Sequence, residues 1–262
     1  MTSLLAPSSD LQSAALHQPV TFIDFDFSTL SEASVLARLA ERAADAPFEY
    51  IVTPNVDHAV RLQRNRSDLY PVYHAAWLTL CDSKILALLA RRAGYALPVL
   101  AGSDLTHKMF ERIIKPDDVV TIIGGDATRI KHLAARYGLR RVHHYNPPMG
   151  FINDPDAVSK AARFVVEARA RYSFLAVGSP QQEILAHRIK QLGGGRGIGF
   201  CIGASLDFLT GTQKRAPAIM RFFALEWLHR LASDPARMWR RYLYDGPEIF
   251  RIVRDWKRRQ PR

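Results

Sequence analysis

Short apolar runs alternate along this chain with longer stretches in which apolar residues recur every three or four positions. The runs fall at residues 20–24, 48–53, 76–81, 97–101, 118–124, 140–145, 172–178 and 198–204. Their length and continuity predict strands. Val119–Ile123 and Phe174–Val177 are apolar at nearly every position, as expected of strands buried on both faces. Between the runs, the spacing predicts helices over Asp57–Arg66, Ser83–Ala93, Leu105–Lys115, Ala127–Tyr137, Pro155–Ala170 and Pro180–Leu192. In the fifth of these, Phe164, Val165 and Ala168 share one face, while Lys160, Glu167 and Arg171 point away. Strand–helix alternation with brief connections predicts an α/β domain. Its sheet should be mostly parallel and Rossmann-like, with helices on both faces.

The last third of the chain changes character. Arg221–Ser233 predicts an amphipathic helix ended by Asp234-Pro235, and a final helix starts near Asp245-Gly246-Pro247, with Asp245 as N-cap and Pro247 in the first turn. Ile249, Ile252, Val253 and Trp256 form that helix's apolar stripe, and Arg251, Arg254, Lys257 and Arg258 its charged flank. The chain reads as a disordered Ser/Ala/Gln-rich tail (1–18), an α/β catalytic domain (19–212) and a basic helical C-terminal appendage (213–262).

Charge sharpens this division. Residues 214–262 hold thirteen Lys and Arg against five Asp and Glu, which is eight of the eleven net positive charges of the whole chain. A cationic segment rich in aromatic residues suits either a phosphate-bearing substrate at a lipid surface or a nucleic acid. No RRM, KH or zinc signature accompanies it, and nucleic-acid binding would leave the polar strand ends described below without a purpose. The two cysteines, Cys81 and Cys201, lie in apolar runs and read as buried reduced thiols. No Lys or Arg precedes Arg38, so no signal-peptide n-region is expected. No apolar run approaches the roughly 18 residues that span a bilayer. The expected location is the cytoplasm, with any membrane contact peripheral.

In open parallel sheets, ligands bind beyond the carboxyl ends of the strands. In this chain those ends are polar, small or charged: Thr53-Pro-Asn-Val-Asp-His58, Cys81-Asp-Ser-Lys84, Gly102-Ser-Asp-Leu105, Gly124-Gly-Asp126, Asn146-Pro-Pro-Met-Gly-Phe151, Gly178-Ser-Pro-Gln-Gln-Glu183 and Gly203-Ala-Ser-Leu-Asp207. Any one of them is explained by turn and cap chemistry. Together with Arg215-Ala-Pro217 and Leu225-Glu-Trp-Leu-His-Arg230, the array resembles the WecG/TagA/CpsF family of bacterial glycosyltransferases over about residues 50–245. The resemblance implies an inverting transferase that takes a UDP-sugar donor and a polyprenyl-diphosphate-linked sugar acceptor, with no obligatory metal or other cofactor. Many members carry Asp-Gly after the third strand, where this chain has Asp82-Ser83. That departure points away from an N-acetylmannosamine donor. Among relatives the chain looks closer to the branch that adds a β-1,4 glucose in xanthan-type exopolysaccharide assembly, with the N-acetylmannosaminyltransferases as the alternative.

Inverting transfer needs a base for the acceptor hydroxyl. The resemblance and the strand-end position both point to Asp82, whose competing role is N-cap of the helix near Lys84. Thr53 and Asn55 are candidates to position the acceptor, or they form an Asx-type turn after Pro54. Gly124, Gly125, Gly178, Gln182, Glu183 and Asp207 are candidate donor-site residues. Ser179, Pro180 and Gln182 also fit an ordinary capping box. Arg215, Arg230 and Arg237 are candidates for the acceptor diphosphate, which guanidinium groups grip in bidentate fashion. The final helix can lie on an anionic membrane with Ile249, Val253 and Trp256 among the headgroups, or it can pack on the protein with a solvated basic face. Asp24-Phe-Asp26 resembles a metal-binding DxD, but alternation along an early strand explains it. The sequence leaves a homo-oligomer open.

Overall fold

The computed structural model describes residues 18–203, 205–209, 228, 231–232, 235–239, 243 and 246–260. The first expected strand is instead one arm of a hairpin, β1 (Val20–Phe22) and β2 (Phe25–Phe27), paired antiparallel with Phe22 opposite Phe25. Its two-residue turn, Ile23-Asp24, has φ of 46° and 64°, the turn geometry that matches strand twist. A β-branched residue is disfavoured there. Burial of the Ile23 side chain and a 2.6 Å hydrogen bond from Gln63 to Asp24 hold it in place. Beyond β2, the Ser28 N–H donates to the Thr79 carbonyl at 2.9 Å. The hairpin therefore lies along an edge of the main sheet and shields it from further pairing. Asp26 accepts from Thr21 and pairs with His74 at 2.9 Å, so both acids of the DxD are engaged in holding the hairpin.

The main sheet comprises β3 (Glu49–Val52), β4 (Leu78–Thr79), β5 (Val119–Ile123), β6 (Arg141–Tyr145), β7 (Tyr172–Leu175) and β8 (Ile198–Cys201). All pairings are parallel, in the order β4-β3-β8-β7-β5-β6. The run at 97–101 does not become a strand. Only Val99 bridges, to Cys81, because the chain turns into a helix at Gly102 before a ladder can extend.

Strand alternation sorts side chains into two cores. Ile51, Val120, Ile122, Tyr172, Phe174, Ile198 and Phe200 face one side, and Phe174 and Phe200 stack there at 5.0 Å between centroids. Tyr50, Val52, Ile123, Leu175 and Cys201 face the other. The first side is covered by α1 (Glu32–Glu41), through Val35 and Leu39. The second is covered by α2 (Val56–Asn65), α3 (Tyr70–His74) and α4 (Lys84–Arg92). Next come α5 (Gly102–Lys108, prolonged by a π turn over Met109–Ile113) and α6 (Ala127–Arg136) on the first side. The second side is completed by α7 (Pro155–Ala168) and α8 (Gln181–Leu192). The expected doubly covered α/β sheet is the fold observed.

Among the described residues, two short helices follow, α9 (Ser205–Leu209) and α10 (Pro235–Trp239), then α11 (Glu248–Arg259). The expected helix over 221–233 and the 1–17 part of the tail lie outside the described residues, apart from single positions in the former. Pro247 is the N-cap of α11 rather than a first-turn residue. The stripe of α11 does not face outward. Ile249, Ile252, Val253 and Trp256 are buried, and the Trp256 ring meets Phe22 edge-on at 5.1 Å and Tyr95 at 5.8 Å. Arg64–Glu248 and Arg259–Asp24 ion pairs and a Lys257 bond to the Arg92 carbonyl pin its flanks. The expectation that this stripe enters lipid is thus corrected, because the hairpin and α2 already cover it. Phe250, Arg251, Arg254 and Arg258 remain exposed. No helix among the described residues is long and apolar enough to cross a membrane.

Candidate active site

All six strands run the same way, so the loops after them converge on one edge. The chain leaves β5 toward β6 on one side and leaves β7 toward β8 on the other. Neighbouring loops that depart in opposite directions open a crevice between them, the usual place for a ligand in such sheets. Gly124 sits at this point with φ of +94°. A Cβ there would lie 2.7 Å from the Ala176 carbonyl oxygen and 3.0 Å from Val177, so close approach of β5 and β7 requires glycine. Gly125 (φ +82°) is exposed beside it, and Gly178 (φ +80°) opens on free space. These three candidates are brought together at the switch point. The start of the helix after Gly124 and Gly125 is not vacant. The Asp126 carboxylate caps α6 by accepting from Thr128 and Arg129 N–H, so those amides are already taken.

The other half of the edge carries the candidate acceptor residues. The Asp82 N–H donates to the Pro54 carbonyl at 3.1 Å and the Leu80 N–H to Val52 at 2.9 Å, which sets Asp82 directly beside the Thr53–Asn55 loop. Asp82 is half-buried. Its competing role is removed, because Ser83 caps α4 by accepting from the Leu86 N–H at 3.2 Å. Ser83 has φ of −158°, an extended backbone open to any residue. The Asp-Ser departure therefore has a plain structural use, and the inference drawn from it about the donor sugar loses its support. The Thr53 hydroxyl reaches the Cys201 carbonyl at 3.5 Å. It packs against Gly102, where a Cβ would stand 2.9 Å from Thr53 Oγ1. Asn55 caps α2, its Oδ1 accepting from the Asp57 N–H at 3.1 Å.

The Gly178–Glu183 segment differs from expectation. Its Ser179–Pro180 peptide is cis, and Pro180, not Ser179, is the N-cap of α8, with no side-chain cap. The Ser179 hydroxyl and carbonyl instead accept from Arg61 at 2.7 and 3.3 Å. Gln182 and Glu183, expected to contact substrate or shape its pocket, are buried at 4% and 1% exposure. Gln182 donates to Glu183 Oε1 at 2.9 Å and accepts from the Gly203 N–H at 2.7 Å. Glu183 Oε1 also faces His58 Nε2 at 3.7 Å. Burial alone would raise the Glu183 pKa. The His58 hydrogen bond and charge, with Gln182 and Ser179, outweigh it and hold the carboxyl below its usual range. These residues tie loops together and do not line an open surface.

His58, Arg61 and Gly203 were not singled out from sequence for these contacts. His58 could have been found, because it stands three residues after the Asn55 cap, the spacing of a capping box. The Asp207 and Arg237 side chains, Arg215 and Arg230 lie outside the described residues. Cys81 and Cys201 are free and buried, and burial pushes the Cys81 thiol up to about 12, which fits inert structural thiols. Among the described residues, no three His, Cys, Asp or Glu side chains gather closely enough to hold a metal.

Comparison with known proteins matches residues 20–262 to the family described as "Glycosyl transferase WecG/TagA/CpsF family". A relative from Bacillus spizizenii, an N-acetylglucosaminyldiphosphoundecaprenol N-acetyl-beta-D-mannosaminyltransferase, is 28% identical over 236 residues, which cover 86% of either chain.

Proposed function

The chain belongs to the WecG/TagA/CpsF glycosyltransferase family, and from that premise we propose that it moves N-acetylmannosamine from a UDP-sugar to a polyprenyl-diphosphate-linked N-acetylglucosamine. The observation that carries this reading is one sheet edge that sets Asp82 beside Thr53 and Asn55 and brings Gly124, Gly125 and Gly178 to the point where the loops after β5 and β7 part. The expectation of glucose transfer is withdrawn. Its basis was the residue after Asp82, which the helix cap explains, and the named relative carries a different sugar.

In this scheme the donor diphosphate lies over Gly125 and Gly178, where glycine backbone allows close approach. Asp82 takes the proton of the acceptor hydroxyl. That oxygen bonds to the anomeric carbon as the bond to the UDP phosphate oxygen breaks, and the electron pair leaves on UDP. Attack from the face opposite the leaving group inverts the centre. Arg215, Arg230 and Arg237 neutralise the acceptor's diphosphate, and the exposed basic face of α11 meets an anionic membrane on its cytoplasmic side. No metal is required.

The test offers labelled UDP-N-acetylmannosamine and UDP-glucose, in EDTA, to N-acetylglucosaminyl- and glucosyl-diphospho-polyprenol. Transfer of N-acetylmannosamine to the amino-sugar lipid supports the proposal. Transfer of glucose alone returns the chain to the exopolysaccharide branch, and a requirement for added metal removes the metal-free scheme.

A further inference from the structure

We propose that His58 and Glu183 are positioning residues that fix the side-chain amide of Asn55, turning its NH2 end toward the transferred or accepting sugar as a hydrogen-bond donor. The inference deepens the reading of this edge as a sugar-transfer site and rests on it.

Asn55 Oδ1 has two close neighbours, the Asp57 N–H at 3.1 Å and His58 Nδ1 at 2.8 Å. If the amide were turned over, its NH2 would face the Asp57 N–H, donor against donor. If Nδ1 lacked a proton, two lone pairs would meet at 2.8 Å. Only an N–H on Nδ1 donating to Oδ1 satisfies both contacts. The Asn55 N–H also points at this nitrogen, at 3.2 Å, in a capping-box arrangement, and a proton on Nδ1 gives up that bond in favour of the shorter 2.8 Å contact to Oδ1. The other side of the imidazole, Nε2, faces the Glu183 carboxylate. Glu183 is held in turn by Gln182, which also accepts from the Gly203 N–H. A carboxylate thus orients an imidazole, and the imidazole orients an amide. Such second-layer bonds decide which end of a group faces a ligand.

With Oδ1 committed, the two N–H donors of Asn55 have no partner among the described residues, and the residue is only half-buried. An NH2 held in this way fits an oxygen acceptor, a sugar hydroxyl or an N-acetyl carbonyl, and rejects a donor in the same place. His58 and Glu183 are buried and touch no substrate, so their influence passes through Asn55.

Three variants test this, His58→Leu, His58→Asn and Glu183→Gln, each checked for a native unfolding transition. Asparagine places an N–H near the position of Nδ1, whereas leucine fills the space without one. His58→Leu should lower kcat/KM for one sugar substrate by about 10- to 100-fold, the usual effect of a misaligned positioning group, with little change in UDP affinity. His58→Asn should restore most of that loss, and Glu183→Gln should fall between them. Independently of turnover, the Asn55 side-chain NH2 resonance of nitrogen-15-labelled protein should shift in His58→Leu and return toward its native position in His58→Asn. Equal activity of the leucine and asparagine variants, or an Asn55 resonance indifferent to both, overturns the proposal. If the wild-type protein transfers no sugar at all, the functional reading fails and the resonance alone decides the arrangement of the amide.

Discussion

Replacing Gly124 with alanine tests the crevice from its backbone. The residue has φ of +94°, outside the region that L-residues favour, so alanine pays a conformational cost of about 1–2 kcal/mol. The added Cβ would also meet the Ala176 carbonyl oxygen at 2.7 Å, its carbon at 3.0 Å and Val177 Cγ1 at 3.0 Å. Ala176 follows β7 directly and its N–H is bonded to the Ile123 carbonyl at 2.8 Å, so its own carbonyl has little room to swing aside, and forcing a methyl into such a place costs about 1–3 kcal/mol more. Gly124→Ala should therefore destabilise by about 2–5 kcal/mol, against a total of about 5–15 for a domain. Two controls separate the contributions. Gly178→Ala has similar φ, +80°, but meets nothing within 4 Å, and should lose only the conformational part. Gly197→Ala, at the amino end of β8, would run into the Arg171 and Ala170 carbonyls, far from the carboxyl edge. It should destabilise like Gly124→Ala while leaving UDP affinity intact in whatever fraction folds. Urea unfolding gives the stabilities, and titration with UDP gives the affinity. Equal stability of Gly124→Ala and Gly178→Ala, or native UDP affinity in Gly124→Ala, would refute the argument that β5 and β7 meet too closely for a side chain.

Other consequences follow from single contacts. Gly102→Ala presses on the Thr53 hydroxyl, with 2.9 Å from the new Cβ to Oγ1. That side chain can rotate, so stability should change by less than about 1 kcal/mol while KM for the acceptor rises. Glu183 is held below its ordinary value of 4.5, so its contribution is complete at neutral pH and declines as the solution is acidified through and below that value. Unfolding free energy followed from pH 7 to pH 3 should fall less steeply in Glu183→Gln than in the wild type, and parallel curves would remove the buried pair from the account. Neutralising Arg251, Arg254 and Arg258 to Gln should weaken binding to anionic vesicles by about 3 kcal/mol, at about 1 kcal/mol per residue near such a surface, without loss of fold. Trp256→Ala should instead cost about 3–5 kcal/mol of stability, because its ring lies in the core.

Regular, local patterns were legible in the chain. Six of the eight apolar runs became the strands of the main sheet, and the polar strand ends located the candidate edge, because a parallel sheet places every such end on one side. Features that depend on distant partners were not legible. Val20–Asp24 has the composition of a sheet strand. Its pairing with Phe25–Phe27 and its place beside β4 arise from the Ile23-Asp24 turn and the Ser28–Thr79 bond. The stripe of α11 reads equally well as lipid-facing or core-facing until Phe22 and Tyr95 are known to meet Trp256. Ser179-Pro-Gln-Gln carries a capping pattern, but Arg61, from another helix, takes up the Ser179 hydroxyl. His58 and Glu183 lie far apart in sequence and meet only because β3 and β7 flank β8. No local pattern records such a meeting.

The central claim is that this edge transfers sugar with Asp82 as the base. Single-turnover label transfer from UDP-N-acetylmannosamine to N-acetylglucosaminyl-diphospho-polyprenol, compared between wild type and Asp82→Asn at matched UDP occupancy, tests it most directly. Loss of the proton acceptor should slow transfer by about 10²- to 10⁴-fold with UDP affinity and unfolding unchanged. Transfer within a few-fold of wild type would contradict the assignment and place the base elsewhere on the edge.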